Sequence, residues 1–187
     1  GGLILTRTNV QANVTSNYID NCSIEWTNEH DAKPDFEGDE YSFGGLTITG
    51  NTFLASDTTL GFNWLVVKPY GSGHFIHGLA VMGNGFKSLT NKITRIDRVD
   101  TTFANLDYGR MRNIQFQGNM FNGVNTYVAN PVDITFTQAT ASNRWLVNVD
   151  TSLPFNGYAK KVEAVVATSA ITNAANARVT EMPWVQP

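Results

Sequence analysis

Apolar and other residues alternate along several short stretches of the chain, and three of these stretches end at a Gly-Asn pair. They are 46–49 (LTIT), 79–82 (LAVM) and 114–117 (IQFQ). An alternation with a period of two is typical of β-strands, whereas a 3.6-residue helical period is not seen in these repeated stretches. The pattern therefore predicts short strands, each of which ends at a tight corner.

A six-residue phrase with a central asparagine repeats four times, as VTSNYI at 14–19, ITGNTF at 48–53, VMGNGF at 81–86 and FQGNMF at 116–121. The asparagines are 34, 33 and 35 positions apart (51−17, 84−51, 119−84) and are Asn17, Asn51, Asn84 and Asn119. Such a period indicates stacked units that bury their apolar faces against one another. Because Asn tolerates a positive φ, we expect it at a corner, where identical amides could form a ladder. We interpret the four asparagines as structural.

Strand, Gly-Asn-x-Phe corner, second strand and variable loop recur over about residues 3–128. This arrangement resembles the right-handed parallel β-helix of the pectate-lyase-like superfamily, an architecture that phage tailspikes share. The resemblance implies an all-β fold with about four coils of right-handed parallel β-helix in a first domain, residues 1–130.

The repeat ends after Asn130, and residues 131–187 form the second predicted domain. Alternation at 132–138, 144–149 and 161–166, separated by turn residues, predicts a small C-terminal antiparallel β module. The region is also similar to the C-terminal ends of β-helix spike proteins of phages and gene transfer agents. We expect it to cap the β-helix and to pack against two copies of itself in a homotrimer, because it is too small to hold much core alone.

Composition excludes several classes of function. The net charge of −3 argues against nucleic-acid binding, which requires a basic stripe, and no apolar run is long enough for a membrane span. Cys22 is the only cysteine, so neither an intrachain disulfide nor a cysteine-based metal site is predicted. The chain begins with a strand-like segment and without Met, so we expect a fragment or cleaved product of a longer solenoid.

Three long segments, 28–44, 68–77 and 100–112, each return to the repeated strand at about the same offset from its Asn. Stacked loops of this kind should lie along one edge, where binding and catalytic groups are usually displayed. The candidate carbohydrate-binding residues on this edge are Asp31, Asp35, Tyr70, His74, His77, Asp107, Tyr108 and Arg110. We expect the two tyrosines to be exposed for stacking on sugar rings, and the two histidines to be polar surface groups.

The sequence leaves the chemistry of this edge open. The acidic segment 28–44 is interpreted as a solvated loop, with a calcium site or catalytic carboxylates as alternatives. Lys68, Arg110 and Arg112 are candidates for a lyase reaction on a uronate, but no catalytic residue, metal site or cofactor can be assigned. Trp26 and Trp64 fit either the core or a binding surface.

These observations favour a spike, extracellular or on a virion surface, that binds cell-surface polysaccharide for host attachment. The alternative is a polysaccharide-degrading enzyme, a lyase or a glycoside hydrolase, acting along the loop edge. A purely structural trimerising stalk is a third hypothesis. The expected partners are polysaccharide, two further copies of the chain and other virion or spike subunits, without nucleic acid or a membrane span.

Overall fold

The computed structural model describes residues 2–31, 33–38, 40–89, 93–180, 185 and 187. Within this part of the chain, secondary structure consists of β-strands and short 3-10 helices. The strands are β1 (Gly2–Leu5), β2 (Asn9–Thr15), β3 (Tyr18–Asp20), β4 (Ser23–Thr27), β5 (Gly44–Thr49), β6 (Thr52–Ala55), β7 (Leu65–Lys68), β8 (His77–Met82), β9 (Gly85–Ser88), β10 (Asp97–Val99), β11 (Arg112–Gln117) and β12 (Met120–Asn122).

Each strand pairs in parallel with the strand three places further along the chain, which gives three four-stranded sheets. Their orders are β1-β4-β7-β10, β2-β5-β8-β11 and β3-β6-β9-β12. The chain therefore winds as a parallel β-solenoid of about three turns, and the predicted all-β, β-helical class is confirmed. The predicted count of about four coils is not confirmed.

The parallel register places equivalent apolar side chains of successive turns directly above one another. Ile48 pairs with Val81, and Val81 with Phe116, and all three are at most 1% exposed. At the neighbouring sheet, the rings of Phe53 and Phe86 stack with centroids 4.7 Å apart. Continuous stacks of this kind form the core that a single turn could not bury alone.

Both tryptophans that the sequence left undecided belong to the core. Trp26 is 2% exposed and Trp64 is fully buried. The indole Nε1 of Trp26 donates a hydrogen bond of 2.7 Å to the Arg7 carbonyl, so its polar group is satisfied inside the fold. A role of these tryptophans in sugar stacking is therefore wrong.

The four asparagines form the predicted ladder at one corner of the solenoid. The side-chain Nδ2 of Asn17 donates to Oδ1 of Asn51, Asn51 to Asn84, and Asn84 to Asn119, each at 3.0 Å. The same oxygens also accept backbone N–H groups of the preceding asparagine at 2.9–3.0 Å. Stacking of the four asparagines is confirmed.

The sharp bend of each corner belongs to the residue before the asparagine rather than to the asparagine itself. This residue has a φ between 58° and 65° at Ser16, Gly50, Gly83 and Gly118. Glycine adopts this left-handed conformation without steric cost, which explains its place in three of the corners. The expectation that Asn supplies the positive φ is wrong, and its amide ladder explains its recurrence instead.

Three loops connect the first sheet to the second: loop A (28–43), loop B (69–76) and loop C (100–111). They contact one another in this order. The backbone N–H of Phe36 donates to the carbonyl of Ser72 (2.8 Å), and that of Asp107 donates to the carbonyl of His74 (2.7 Å). The three loops therefore lie on one edge of the solenoid, as their common offset predicted.

Residues 131–180 form no β-strand in the described structure, so the predicted antiparallel module is not confirmed. An isolated antiparallel bridge joins Thr172 and Arg178, and the short 3-10 helices Asp150–Ser152 and Pro154–Asn156 interrupt otherwise irregular chain. Phe155 is 2% exposed and packs edge-on against Phe116 with centroids 6.0 Å apart. This part of the chain thus covers the last turn of the core.

A buried ion pair fastens that covering segment to the solenoid, and we call it the Asp97 clasp. Asp97 faces inward in register with Leu65 of β7 and is 0% exposed. Its carboxylate accepts a hydrogen bond from the Nε–H of Arg95 at 2.7 Å and another from the backbone N–H of Phe155 at 2.5 Å. Arg95 also donates to the carbonyl of Leu153 at 3.0 Å, so one ion pair connects β10 to the covering segment.

Candidate functional site

Loops A, B and C enclose an open depression on the edge of the solenoid, with a volume of about 600 Å³. The loop-edge depression is lined by Asp35, Gly71, Ser72, Gly73, Phe103, Ala104, Asn105, Leu106 and Asp107.

An exposed aromatic ring forms the apolar part of this depression. Phe103 is 53% exposed, although the ring of Tyr70 packs against it with centroids 4.6 Å apart. The ammonium of Lys68 lies 5.2 Å from the centroid of the same ring. Buried Asn28 holds the backbone of Tyr70 by two hydrogen bonds. Its Oδ1 accepts the Tyr70 N–H at 2.7 Å, and its Nδ2 donates to the Tyr70 carbonyl at 2.8 Å. The platform under Phe103 is therefore fixed to the scaffold.

Two carboxylates, of Asp35 and Asp107, line the same depression as Phe103, and hydrogen bonds to one oxygen orient each of them. Oδ1 of Asp35 accepts the backbone N–H (2.7 Å) and the hydroxyl (3.0 Å) of Ser72, and these bonds hold the pKa of Asp35 below its usual value. Oδ1 of Asp107 accepts the N–H of Gly109 at 3.0 Å. Among the described residues no donor contacts the second oxygen of either group, so both are available as acceptors.

His74 is buried at 3% exposure, and the expectation of a surface histidine is wrong. Its Nε2–H donates to the Pro34 carbonyl at 2.6 Å, and its Nδ1 shares a hydrogen bond of 2.7 Å with the hydroxyl of Ser42. Gly71 also permits loops A and B to approach closely, since a Cβ at this position would lie 2.3 Å from the Pro34 carbonyl oxygen. His74 thus holds loop A against loop B instead of facing a ligand.

Arg110 and Arg112 reach loop A from two turns further along the solenoid. Their guanidinium groups lie 4.2 and 4.9 Å from the ring centroid of Phe75, in cation–π geometry. Arg110 donates to the Gly38 carbonyl at 3.2 Å, and Arg112 donates to the Glu40 carbonyl. Two of the three cations that the sequence suggested for uronate chemistry are thus engaged with the protein's own backbone.

His77 begins β8, beside these two arginines. Its ring packs against Tyr41 with centroids 5.2 Å apart, and its Nε2 is buried without a partner among the described residues. Burial, followed by the nearby charge of Arg112, lowers the pKa of His77 below 6.5, so the ring is neutral at neutral pH. A neutral, half-buried imidazole against Tyr41 and Phe75 is a packing element here.

The other predicted site residues lie around the depression or outside it. Asp31 accepts an ion-pair hydrogen bond from Arg7 at 3.2 Å. Tyr108 packs against Tyr158 with centroids 5.7 Å apart, and burial raises its pKa. Tyr108 and Tyr70 are both half-buried, not exposed as expected. Of the eight predicted residues, the depression brings together Asp35 and Asp107, with Tyr70 supporting Phe103.

Phe103 is the residue that the sequence interpretation missed. It is the single aromatic in the polar segment TTFANLD at 101–107. An isolated aromatic in a long loop has no strand alternation to explain it, and this signal was available in the sequence.

The described residues include no group of three or more His, Cys, Asp or Glu side chains that could hold a metal ion. Asp39, one of the acidic residues of segment 28–44, lies outside the described residues. In the described part of the chain, no helix has the length and apolar character needed to cross a membrane.

No protein-family model matches this chain, and no curated protein or solved structure matches it significantly.

Proposed function

We propose that this protein binds cell-surface polysaccharide in the loop-edge depression. The observation that carries the proposal is Phe103, which is 53% exposed and lines the depression together with two oriented carboxylates. Sugars bind proteins through stacking of their C–H faces on aromatic rings and through hydrogen bonds from their hydroxyl groups. The depression offers both kinds of contact on a rigid scaffold.

Binding is favoured over glycoside hydrolysis by the surroundings of Asp35. A hydrolase needs one carboxyl group with a raised pKa to act as general acid. The pKa of Asp35 is instead lowered, because Ser72 stabilises its ionised form. Likewise, Arg110 and Arg112 hold carbonyls of loop A, which does not favour the lyase alternative.

The biological setting that fits this function is a spike on a virion or another extracellular surface, used for host attachment. The parallel solenoid supports a relationship to the right-handed β-helices of the pectate-lyase-like and tailspike type. We further propose that residues 131–187 join two more copies of the chain in a homotrimer, which other virion or spike subunits would carry. Apolar side chains exposed along 131–180 support this assembly.

Phe103→Ala tests the binding function on an array of bacterial surface polysaccharides. We expect the variant to lose roughly tenfold in affinity for the glycans that the wild type binds, because the stacking surface is removed. Phe103→Tyr retains the ring and should retain binding. Tyr18→Ala is the matched control, since Tyr18 is exposed by 65% on β3, outside the depression.

Wild-type binding that survives Phe103→Ala would place the site elsewhere. Release of new reducing ends or unsaturated products from a bound glycan would favour the enzymatic alternative.

A further inference from the structure

The charges around the loop-edge depression are predominantly negative. Asp35 and Asp107 belong to its lining. Lys68, the cation beside Phe103, lies 4.0 Å from a carboxylate oxygen of Glu29, and its charge also helps to lower the pKa of Asp100 in loop C. The positive charge of Lys68 is therefore already balanced by the protein.

The lining carboxylates also fix what kind of group can bind them. Hydrogen bonds from Ser72 keep the pKa of Asp35 low, so this group remains ionised at neutral and mildly acidic pH. An ionised carboxylate accepts hydrogen bonds and cannot donate them. The free oxygen of Asp35 consequently requires a donor, which sugar hydroxyls supply and a second carboxylate does not.

We propose that the loop-edge depression is selective for neutral, hydroxyl-rich glycans and excludes polysaccharides that carry uronate or sialate groups at the bound sugars. This inference rests on the proposed glycan-binding function and specifies its ligand class. Neutral sugars stack on the aromatic ring of Phe103 and donate hydrogen bonds from their hydroxyl groups to the carboxylate oxygens of the lining. An anionic sugar would bring a third carboxylate toward the two of the lining, and the cation nearest to Phe103, Lys68, already faces the carboxylate of Glu29.

The test compares each acidic polysaccharide with its own carboxyl-reduced form, so that the two probes differ in charge and little else. The panel contains polygalacturonate, sialic-acid and uronate-bearing bacterial capsules, their reduced forms, and neutral galactans and glucans. We expect the wild type to bind neutral or reduced members roughly tenfold or more tightly than the native acidic forms.

Asp35→Asn and Asp107→Asn, alone and combined, identify the source of this preference. Asparagine keeps the Oδ1 acceptor that the Ser72 and Gly109 donors use. In the double variant, the preference for the carboxyl-reduced form over the native acidic form should fall severalfold, because the repulsion between the protein's carboxylates and those of the sugar is removed. Asp57→Asn removes an exposed carboxylate outside the depression and should leave the ratio unchanged.

Equal or tighter binding of the native acidic forms would overturn the ligand class while leaving glycan binding intact. A preference for neutral forms that the double variant does not alter would also overturn it. Failure to bind any member of the panel would instead overturn the proposed function, and this inference with it.

Discussion

Each buried asparagine of the corner ladder uses all of its hydrogen-bonding capacity. For Asn84, Oδ1 accepts the N–H and the Nδ2 of Asn51 at 2.9 and 3.0 Å. Its Nδ2 donates to the Ile48 carbonyl (2.9 Å), the Met82 carbonyl (3.2 Å) and Oδ1 of Asn119 (3.0 Å). A single side chain thus satisfies backbone groups of two successive turns, which explains why the residue recurs with the repeat.

Asn84→Ala should destabilise the fold by about 2–4 kcal/mol, because several fully buried polar groups lose their partners at once. The measurement is the free energy of unfolding from urea denaturation. Asn17→Ala is the matched control at the exposed end of the ladder, and it should cost about 1 kcal/mol or less. Equal losses in the two variants would show that the ladder contributes no more when buried than when exposed.

At the scale of the element, the sequence predicted the solenoid loops well. The predicted segments 28–44, 68–77 and 100–112 differ by one residue or less at each end from loops A, B and C. This agreement has a physical cause, since strands that pair with their own repeat must enter and leave the sheet at the same place in every turn. Local alternation and a fixed period together determine that place.

The C-terminal segments show where alternation alone is insufficient. Residues 132–138, 144–149 and 161–166 alternate as strands do, yet none of them forms a strand in the described chain. A strand exists only when its backbone groups are paired, and pairing depends on a partner that a local pattern does not specify. In the solenoid the next repeat supplies the partner, whereas these segments have no repeat.

The Asp97 clasp could not be predicted from local sequence patterns, for the same reason. Its carboxylate occupies an inward position that Leu65 occupies on the neighbouring turn, and its backbone donor, Phe155, is 58 residues further along the chain. An aspartate at an inward strand position could not be recognised as paired until the distant segment was seen against it.

Asp97→Ala should destabilise the protein by about 3–5 kcal/mol, because it leaves the Arg95 guanidinium without its buried partner. Urea denaturation measures the loss, and proteolysis within 150–157 should become faster. Arg98→Ala is the control: Arg98 pairs with Asp100 at 3.5 Å, but its side chain is 46% exposed, so we expect about 1 kcal/mol or less. A similar loss in both variants would contradict the proposed role of the clasp.

For the molecule as a whole, the sequence predicted that the loops share one edge but not which of their side chains face outward. The common offset of the loops predicted that they stack. Whether a loop side chain points outward depends on contacts between turns, which is why His74 is buried and Phe103 is exposed. Residue type favoured the opposite assignment, since histidine is the more polar of the two.

Apolar exposure is concentrated in the residues beyond the solenoid. Leu146 and Val166 are 71% and 81% exposed and belong to two of the three alternating segments, 144–149 and 161–166. Exposed apolar segments of this kind mark interaction surfaces in soluble proteins. Backbone groups that have no partner within one chain pair most directly with the equivalent segments of identical chains, which carry the same alternating pattern.

We therefore expect the protein to have three times the chain mass of 20.5 kDa in light scattering at micromolar concentration. Leu146→Asp combined with Val166→Asp should shift it toward the monomer, because the charges would be buried between subunits. Leu60→Asp is the matched control, since Leu60 is 92% exposed on the solenoid, and it should leave the trimer intact. A wild-type monomer, or equal dissociation by the control, would contradict assembly through residues 131–187.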